Sequence, residues 1–218
     1  MIDKISPGRW RLYVITDESV SRGRSHIEIA EAAIRGGADV IQLRDKTASG
    51  GTLYRVALAL RKLTREAKVP FLVNDRLDIA LAADADGVHL GQQDLPAAVA
   101  RNIMGPGRIL GVSADTLEEA LLAEKDGADY LGVGPVFEAR KTKADAGEPL
   151  GLELIARIRK HCRLPIVAIG GIDAQNARQV REAGADSAAV ISAIVAADDI
   201  ARAARQMKSL LQGTGEAI

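Results

Sequence analysis

Residues 71–96 read FLVNDRLDIALAADADGVHLGQQDLP. Two short apolar runs in this stretch, Phe71-Leu72-Val73 and Gly87-Val88-His89-Leu90, are each followed closely by a carboxylate, Asp75 and Asp94. The runs have the length of buried strands, and Leu77, Ala80 and Leu81 between them share one helical face. A strand-helix-strand unit of this size makes the two strands parallel, so Asp75 and Asp94 leave the sheet at the same end. Two carboxylates at one strand end suit a hard cation such as Mg²⁺, which keeps much of its water shell and shares its remaining positions with phosphate oxygens. The competing reading makes Asp75 a helix cap and Asp94 part of a solvated turn.

Working outward, the same alternation continues on both sides. Strands are predicted at residues 12–16, 40–44, 108–112, 129–133, 166–169 and 188–191, with helices at about 27–35, after the loop 45–51, at 117–125, around Leu154, Ile155 and Ile158, and running to about Leu211. Eight strands alternating with helices in 218 residues predict a single α/β domain over 1–218, a (β/α)8 TIM barrel. An open doubly wound sheet is the alternative. An Ala-Asp step precedes strands two, four, six and eight, ending at Asp39, Asp86, Asp129 and Asp186. It reads as punctuation at the barrel floor, away from the chemistry.

Lys plus Arg and Asp plus Glu number 29 each, so no global field points to nucleic acid or an acidic membrane surface. Aromatic residues make up 3%, too few for base-stacking platforms. No apolar run has the length of a membrane span, and the single cysteine, Cys162, cannot form an intrachain disulfide. The expected compartment is the cytoplasm and the expected partners are small molecules. The oligomeric state stays open, a homo-oligomer being compatible with the chain.

Strand alternation puts Gln42, Arg44 and, on an extended path, Lys46 on the inner side, with Ile41 and Leu43 under the helices. Cations there need an anionic partner: an internal carboxylate, for which Asp75 and Asp94 are available, or a metal-bound polyphosphate. Gly170-Gly171 after strand seven and Ser192 after strand eight occupy the places where barrels often bind a phosphate monoester; the competing reading of the glycine pair is an ordinary strand-to-helix turn. Ser113 at the end of strand five either orients substrate or caps the next helix. His89 points into the barrel, whereas His26 and His161 fall on helices, and Cys162 has no activating neighbour. The long loop at 134–151 carries Arg140, Lys141, Thr142 and Lys143, as a lid or as a solvated charged loop.

These residues resemble a known family. The blocks LYVITD at 12–17, IQLRDK at 41–46, NDRLDIA at 74–80, ADGVHLGQQDLP at 85–96, GVS at 111–113, GPVF at 134–137, IGGI at 169–172 and VISAI at 190–194 occur in the order of thiamine phosphate synthases. The resemblance implies a barrel that joins hydroxymethylpyrimidine diphosphate to a thiazole phosphate with release of pyrophosphate, through a dissociative reaction. It assigns Asp75 and Asp94 to Mg²⁺, and Gln42, Arg44, Lys46 and Asn74 to the pyrimidine diphosphate. Ser113 stands beside that substrate, Thr142 and Lys143 come from the lid, and Gly171, Ile191 and Ser192 cradle the thiazole phosphate. The implied catalytic set is Arg44, Lys46, Ser113 and Lys143. One block departs from the family pattern: the lid has Ala139 where the first threonine belongs and one extra residue, which leaves Arg140 or Lys141 to compensate. Rival readings are a metal-free thiazole tautomerase, a Schiff-base aldolase and a precursor-binding barrel without turnover.

Overall fold

The computed structural model describes residues 6–138 and 148–212. Eight parallel strands close into a barrel: β1 (Leu12–Thr16), β2 (Val40–Leu43), β3 (Phe71–Asn74), β4 (Gly87–Leu90), β5 (Ile109–Ala114), β6 (Tyr130–Val133), β7 (Ile166–Ile169) and β8 (Ser187–Val190). The pairing of β1 with β8, Tyr13 opposite Ala189, rules out the open-sheet alternative. Around it lie α1 (His26–Arg35), α2 (Gly50–Ala67), α3 (Leu77–Ala82), α4 (Ala97–Met104), α5 (Leu117–Lys125), α6 (Gly151–His161), α7 (Ala177–Glu182), α8 (Ser192–Val195) and α9 (Ile200–Gln212).

Local chemistry starts several of these helices. Ser25 and Glu28 form a reciprocal capping box on α1, and Thr116 and Glu119 form another on α5. Thr116 therefore does the capping offered above to Ser113, which remains inside β5. Asp75 is not a cap either: the residue entering α3 is Arg76, without a side-chain capping bond. Three helices had no counterpart in the sequence reading, namely α4, α7 and α8. The buried residues of α4 are only Ala100 and Met104, and those of α7 only Ala177 and Val180, so neither displays a broad apolar stripe.

The Ala-Asp steps are clamps at the floor. Asp39 Oδ2 accepts from Leu12 N at 2.9 Å, Asp86 Oδ2 from Phe71 N at 2.8 Å, Asp129 Oδ2 from Leu110 N at 2.7 Å and Asp186 Oδ2 from Ile166 N at 2.8 Å. Each carboxylate also pairs with a cation of a covering helix: Lys208 of α9, Arg61 of α2, Arg101 of α4 and Arg159 of α6 respectively. Every odd strand is thereby tied by its first or second amide to the loop entering the next strand. This fixes the stagger of the barrel from below and leaves the upper rim for other work.

Candidate functional site

At the carboxyl ends of the strands lies a cavity of about 400 Å³. Gln42, Arg44, Lys46, Asn74, Asp75, Asp94, Ser113, Gly171, Ile191 and Ser192 all line it. Thr142 and Lys143, with Ala139, Arg140 and Lys141, lie outside the described residues.

Asp75 follows β3 directly, and its amide continues the sheet by donating to His89 O at 2.8 Å. Its backbone is left-handed, φ 62°, which turns the side chain into the mouth; aspartate and asparagine tolerate this region better than most residues. Asp94 closes the turn after β4, its Oδ2 accepting from Gly91 N at 2.7 Å. The Asp75 and Asp94 carboxyl groups lie close enough to act directly on each other's charge. Burial, followed by the neighbouring Asp94 carboxyl and its like charge, pushes Asp75 up to about 6, against the smaller opposing pull of Lys46 and Arg44. Lys46 Nζ stands 3.8 Å from Asp75 Oδ2.

Arg44 does not pair with either of these carboxylates. Its partner is Asp17, the residue after β1, and both side chains are nearly buried. Asp17 also accepts from Ser19 N at 3.0 Å, which holds the first β-to-α loop against the guanidinium. Spacing along β2 predicted that Arg44 needs an anionic partner, with Asp75 and Asp94 as the carboxylates on offer; it could not say that the end of β1 supplies one.

Beneath the rim, the barrel interior is polar. Gln42 Nε2 donates to Tyr13 Oη at 2.7 Å, and Tyr13 Oη lies 3.0 Å from Tyr130 Oη. Tyr130 Oη is 3.0 Å from His89 Nδ1, whose ring carries the contact on to Ser113 Oγ, 3.0 Å from Nε2. The inward direction of His89 agrees with strand alternation. The two tyrosines escaped the sequence reading, although Gly111 and Gly132, interior glycines on neighbouring strands, were a signal that bulky rings needed the space.

On β7 and β8 the rim is backbone. A Cβ at Gly170 would stand 2.5 Å from Pro135 Cα, and one at Gly171 2.8 Å from Phe137 Cβ. The glycine pair thus lets the segment after β6 dock against the end of β7, where Val136 N donates to Ile169 O at 2.9 Å. Elsewhere, Cys162 is buried and its thiol is pushed up by burial. His26 is buried with Nδ1 2.8 Å from Thr16 Oγ1. No helix among the described residues is long and apolar enough to cross a membrane.

A closed eight-stranded barrel with a charged, glycine-edged cavity at the carboxyl ends of its strands defines an α/β-barrel enzyme. The family model described as thiamine monophosphate synthase matches residues 12–194. A thiamine-phosphate synthase of Chloroflexus aurantiacus is 58% identical over 207 residues, 95% of both chains. One from Methanocella arvoryzae is 53% identical over 203 residues, 93% of this chain and 95% of that one. Among solved structures, a thiamine phosphate pyrophosphorylase from Pyrococcus furiosus superposes with a TM-score of 0.87 at 44% identity, covering 94% of this chain and 97% of the other. The chain belongs to the thiamine monophosphate synthase family and is a transferase.

Proposed function

We propose that the enzyme condenses 4-amino-2-methyl-5-hydroxymethylpyrimidine diphosphate with 4-methyl-5-(2-phosphoethyl)thiazole, giving thiamine phosphate and pyrophosphate with Mg²⁺ as cofactor. The observation that carries this reading is the meeting of the Asp75 and Asp94 carboxyl groups at the ends of β3 and β4, in one cavity with Lys46 and Arg44.

The donor set fits the ion. Asp75 and Asp94 offer hard oxygen ligands, and the rise of Asp75 to about 6 comes first from burial and then from the neighbouring Asp94, which Lys46 and Arg44 only partly oppose. Among the described residues no group of three or more His, Cys, Asp and Glu side chains gathers there to cage a metal. A pair of carboxylates suits an ion that retains water and takes substrate phosphate oxygens. Bound between them, Mg²⁺ would supply charge neutralisation for a diphosphate leaving group.

The protein groups then divide the remaining work. Arg44, kept in place by Asp17, and Lys46 neutralise diphosphate oxygens, joined in the reading from resemblance by Lys143 and Thr142. Gln42, Asn74 and Ser113 orient the pyrimidine, while Gly171, Ile191 and Ser192 hold the thiazole phosphate by backbone and hydroxyl donors. The bond from the pyrimidine methylene to the diphosphate oxygen breaks first, its electron pair leaving with pyrophosphate, and the 4-amino group feeds charge to the ring. The thiazole nitrogen then donates its lone pair to the methylene carbon, so no proton need be abstracted. The substrates are small molecules and the compartment that fits them is the cytoplasm.

The test is product analysis with the purified chain and both substrates. Thiamine phosphate and pyrophosphate should form in equal amounts with Mg²⁺, stop with excess chelator and resume when Mg²⁺ is restored. Turnover that ignores chelation would sink the metal-dependent reading, and absence of thiamine phosphate would sink the substrates.

A further inference from the structure

The polar chain lies along the floor of the cavity, with Gln42 at one end and Ser113 at the other. Between them, Tyr13 and Tyr130 are 1% and 0% exposed, so neither hydroxyl reaches solvent. A phenylalanine would fill the same space without a buried hydroxyl to satisfy, and the barrel has gone out of its way to admit these rings. A Cβ at Gly111 would fall 2.3 Å from Tyr130 Oη, and one at Gly132 2.8 Å from His89 Cε1. Two strands thus forgo interior side chains where the chain of hydrogen bonds passes.

Each link dictates the next, because a hydroxyl has one proton and a neutral imidazole has one. Gln42 donates to Tyr13, which leaves the Tyr13 proton for Tyr130. Continued in that sense through a neutral imidazole, the order has Tyr130 donating to His89 Nδ1 and His89 Nε2 donating to Ser113 Oγ, across contacts of 3.0 Å each. Burial pushes both phenols above their ordinary range, which keeps the two protons in place. The Ser113 proton is then the one left over for a ligand, and the side-chain oxygen of Gln42, Oε1, is left to accept. Reversing any one link reverses all of them.

We propose that Tyr13 and Tyr130, acting through His89, are positioning residues that fix the hydrogen-bond polarity of the cavity: Gln42 presents an acceptor and Ser113 a donor. This polarity selects a heteroaromatic ring that offers an amino N–H together with an unprotonated acceptor, and rejects the oxo ring in which the two are exchanged. The inference rests on the pyrimidine reading for its choice of ligand, but not for the proton order itself.

Two measurements test it. In protein labelled with ¹⁵N-histidine, with the His89 signals assigned by loss in His89→Gln, the wild type should show Nε2 protonated and Nδ1 bare. Tyr130→Phe should yield a mixture of tautomers, because Nδ1 has lost its donor. In turnover, the 4-amino pyrimidine diphosphate should be preferred over its 4-oxo analogue by about 10³-fold or more in kcat/KM, as expected where buried hydrogen-bonding groups are mismatched. Tyr130→Phe and Tyr13→Phe should each cut that preference at least about tenfold, the loss of roughly one buried bond. A wild-type His89 protonated on Nδ1 would overturn the proton order, and undiminished preference in both variants would overturn the positioning role. Wild-type protein that turns over neither pyrimidine would instead overturn the substrate reading, with the tautomer measurement still deciding the relay.

Discussion

Replacing Asp75 by asparagine should make the metal-free protein more stable while abolishing turnover. Asparagine is nearly isosteric, brings an amide that can donate to the Asp94 carboxylate and tolerates the left-handed backbone at φ 62°. What it removes is a carboxylate whose pKa is raised from 3.8 to about 6, chiefly by burial and then by Asp94. At full weight that shift corresponds to about 3 kcal/mol. The side chain is 27% exposed and Lys46 lies 3.8 Å away, so solvent screening and the lost ion pair leave a net gain of ~1 kcal/mol. In a chain of this size that is about 2–4 °C in Tm. The pH dependence has a definite sign. The folded state holds this proton more tightly than the unfolded one, so the wild type loses stability as pH rises from about 4 through about 6. Thermal unfolding in excess chelator should therefore show no difference between wild type and Asp75→Asn at the low end of this window and the full difference at pH about 8. Added Mg²⁺ should raise the wild-type Tm at pH about 8 and leave the variant unmoved. A variant less stable than wild type at high pH, or a difference that does not change across the window, would refute the reasoning.

Asp94→Ala should lower kcat by about a hundredfold or more. Its Tm should move by no more than about 3 °C, because the acceptor lost to Gly91 N is offset by relief of the contact with Asp75. Asp17→Asn leaves the Arg44 guanidinium without its countercharge in a nearly buried site; unfolding should show a loss of about 3 kcal/mol, and the KM for the pyrimidine diphosphate should rise. Asp129→Ala removes the acceptor for Leu110 N and the partner of Arg101 at the barrel floor, so Tm should fall by about 4–8 °C while kcat stays within about twofold.

The barrel and most of its rim were legible because both are written in short-range patterns. Parallel strands are buried on both sides and read as brief apolar runs, and alternation within them tells which residues face inward. That logic correctly brought Gln42, Lys46, Asp75 and Asp94 to one cavity. It failed where the outcome depends on contacts between distant strands. Arg44 found Asp17 because β1 and β2 are neighbours in the closed barrel, with Thr16 opposite Leu43, and no spacing along β2 encodes that choice. The relay of Tyr13, Tyr130 and His89 spans three strands, β1, β6 and β4, and exists only once the sheet has closed. α4 went unread for a different reason: its buried side chains, Ala100 and Met104, make no stripe wide enough to stand out. The floor clamps show the reverse case. A repeated Ala-Asp step pointed to punctuation, and its energetic content, a strand amide and a helix cation on each carboxylate, emerged only in three dimensions.

The central claim is that Asp75 and Asp94 share a divalent ion that takes the diphosphate. Its most direct test is a crystal soaked with Mn²⁺, standing in for Mg²⁺, and pyrophosphate, with diffraction collected above the manganese absorption edge. The account predicts an anomalous peak between the two carboxylates, with pyrophosphate oxygens completing its coordination and Arg44 and Lys46 in contact with the remaining ones. Pyrophosphate bound in the cavity with no anomalous density at those carboxylates would contradict it.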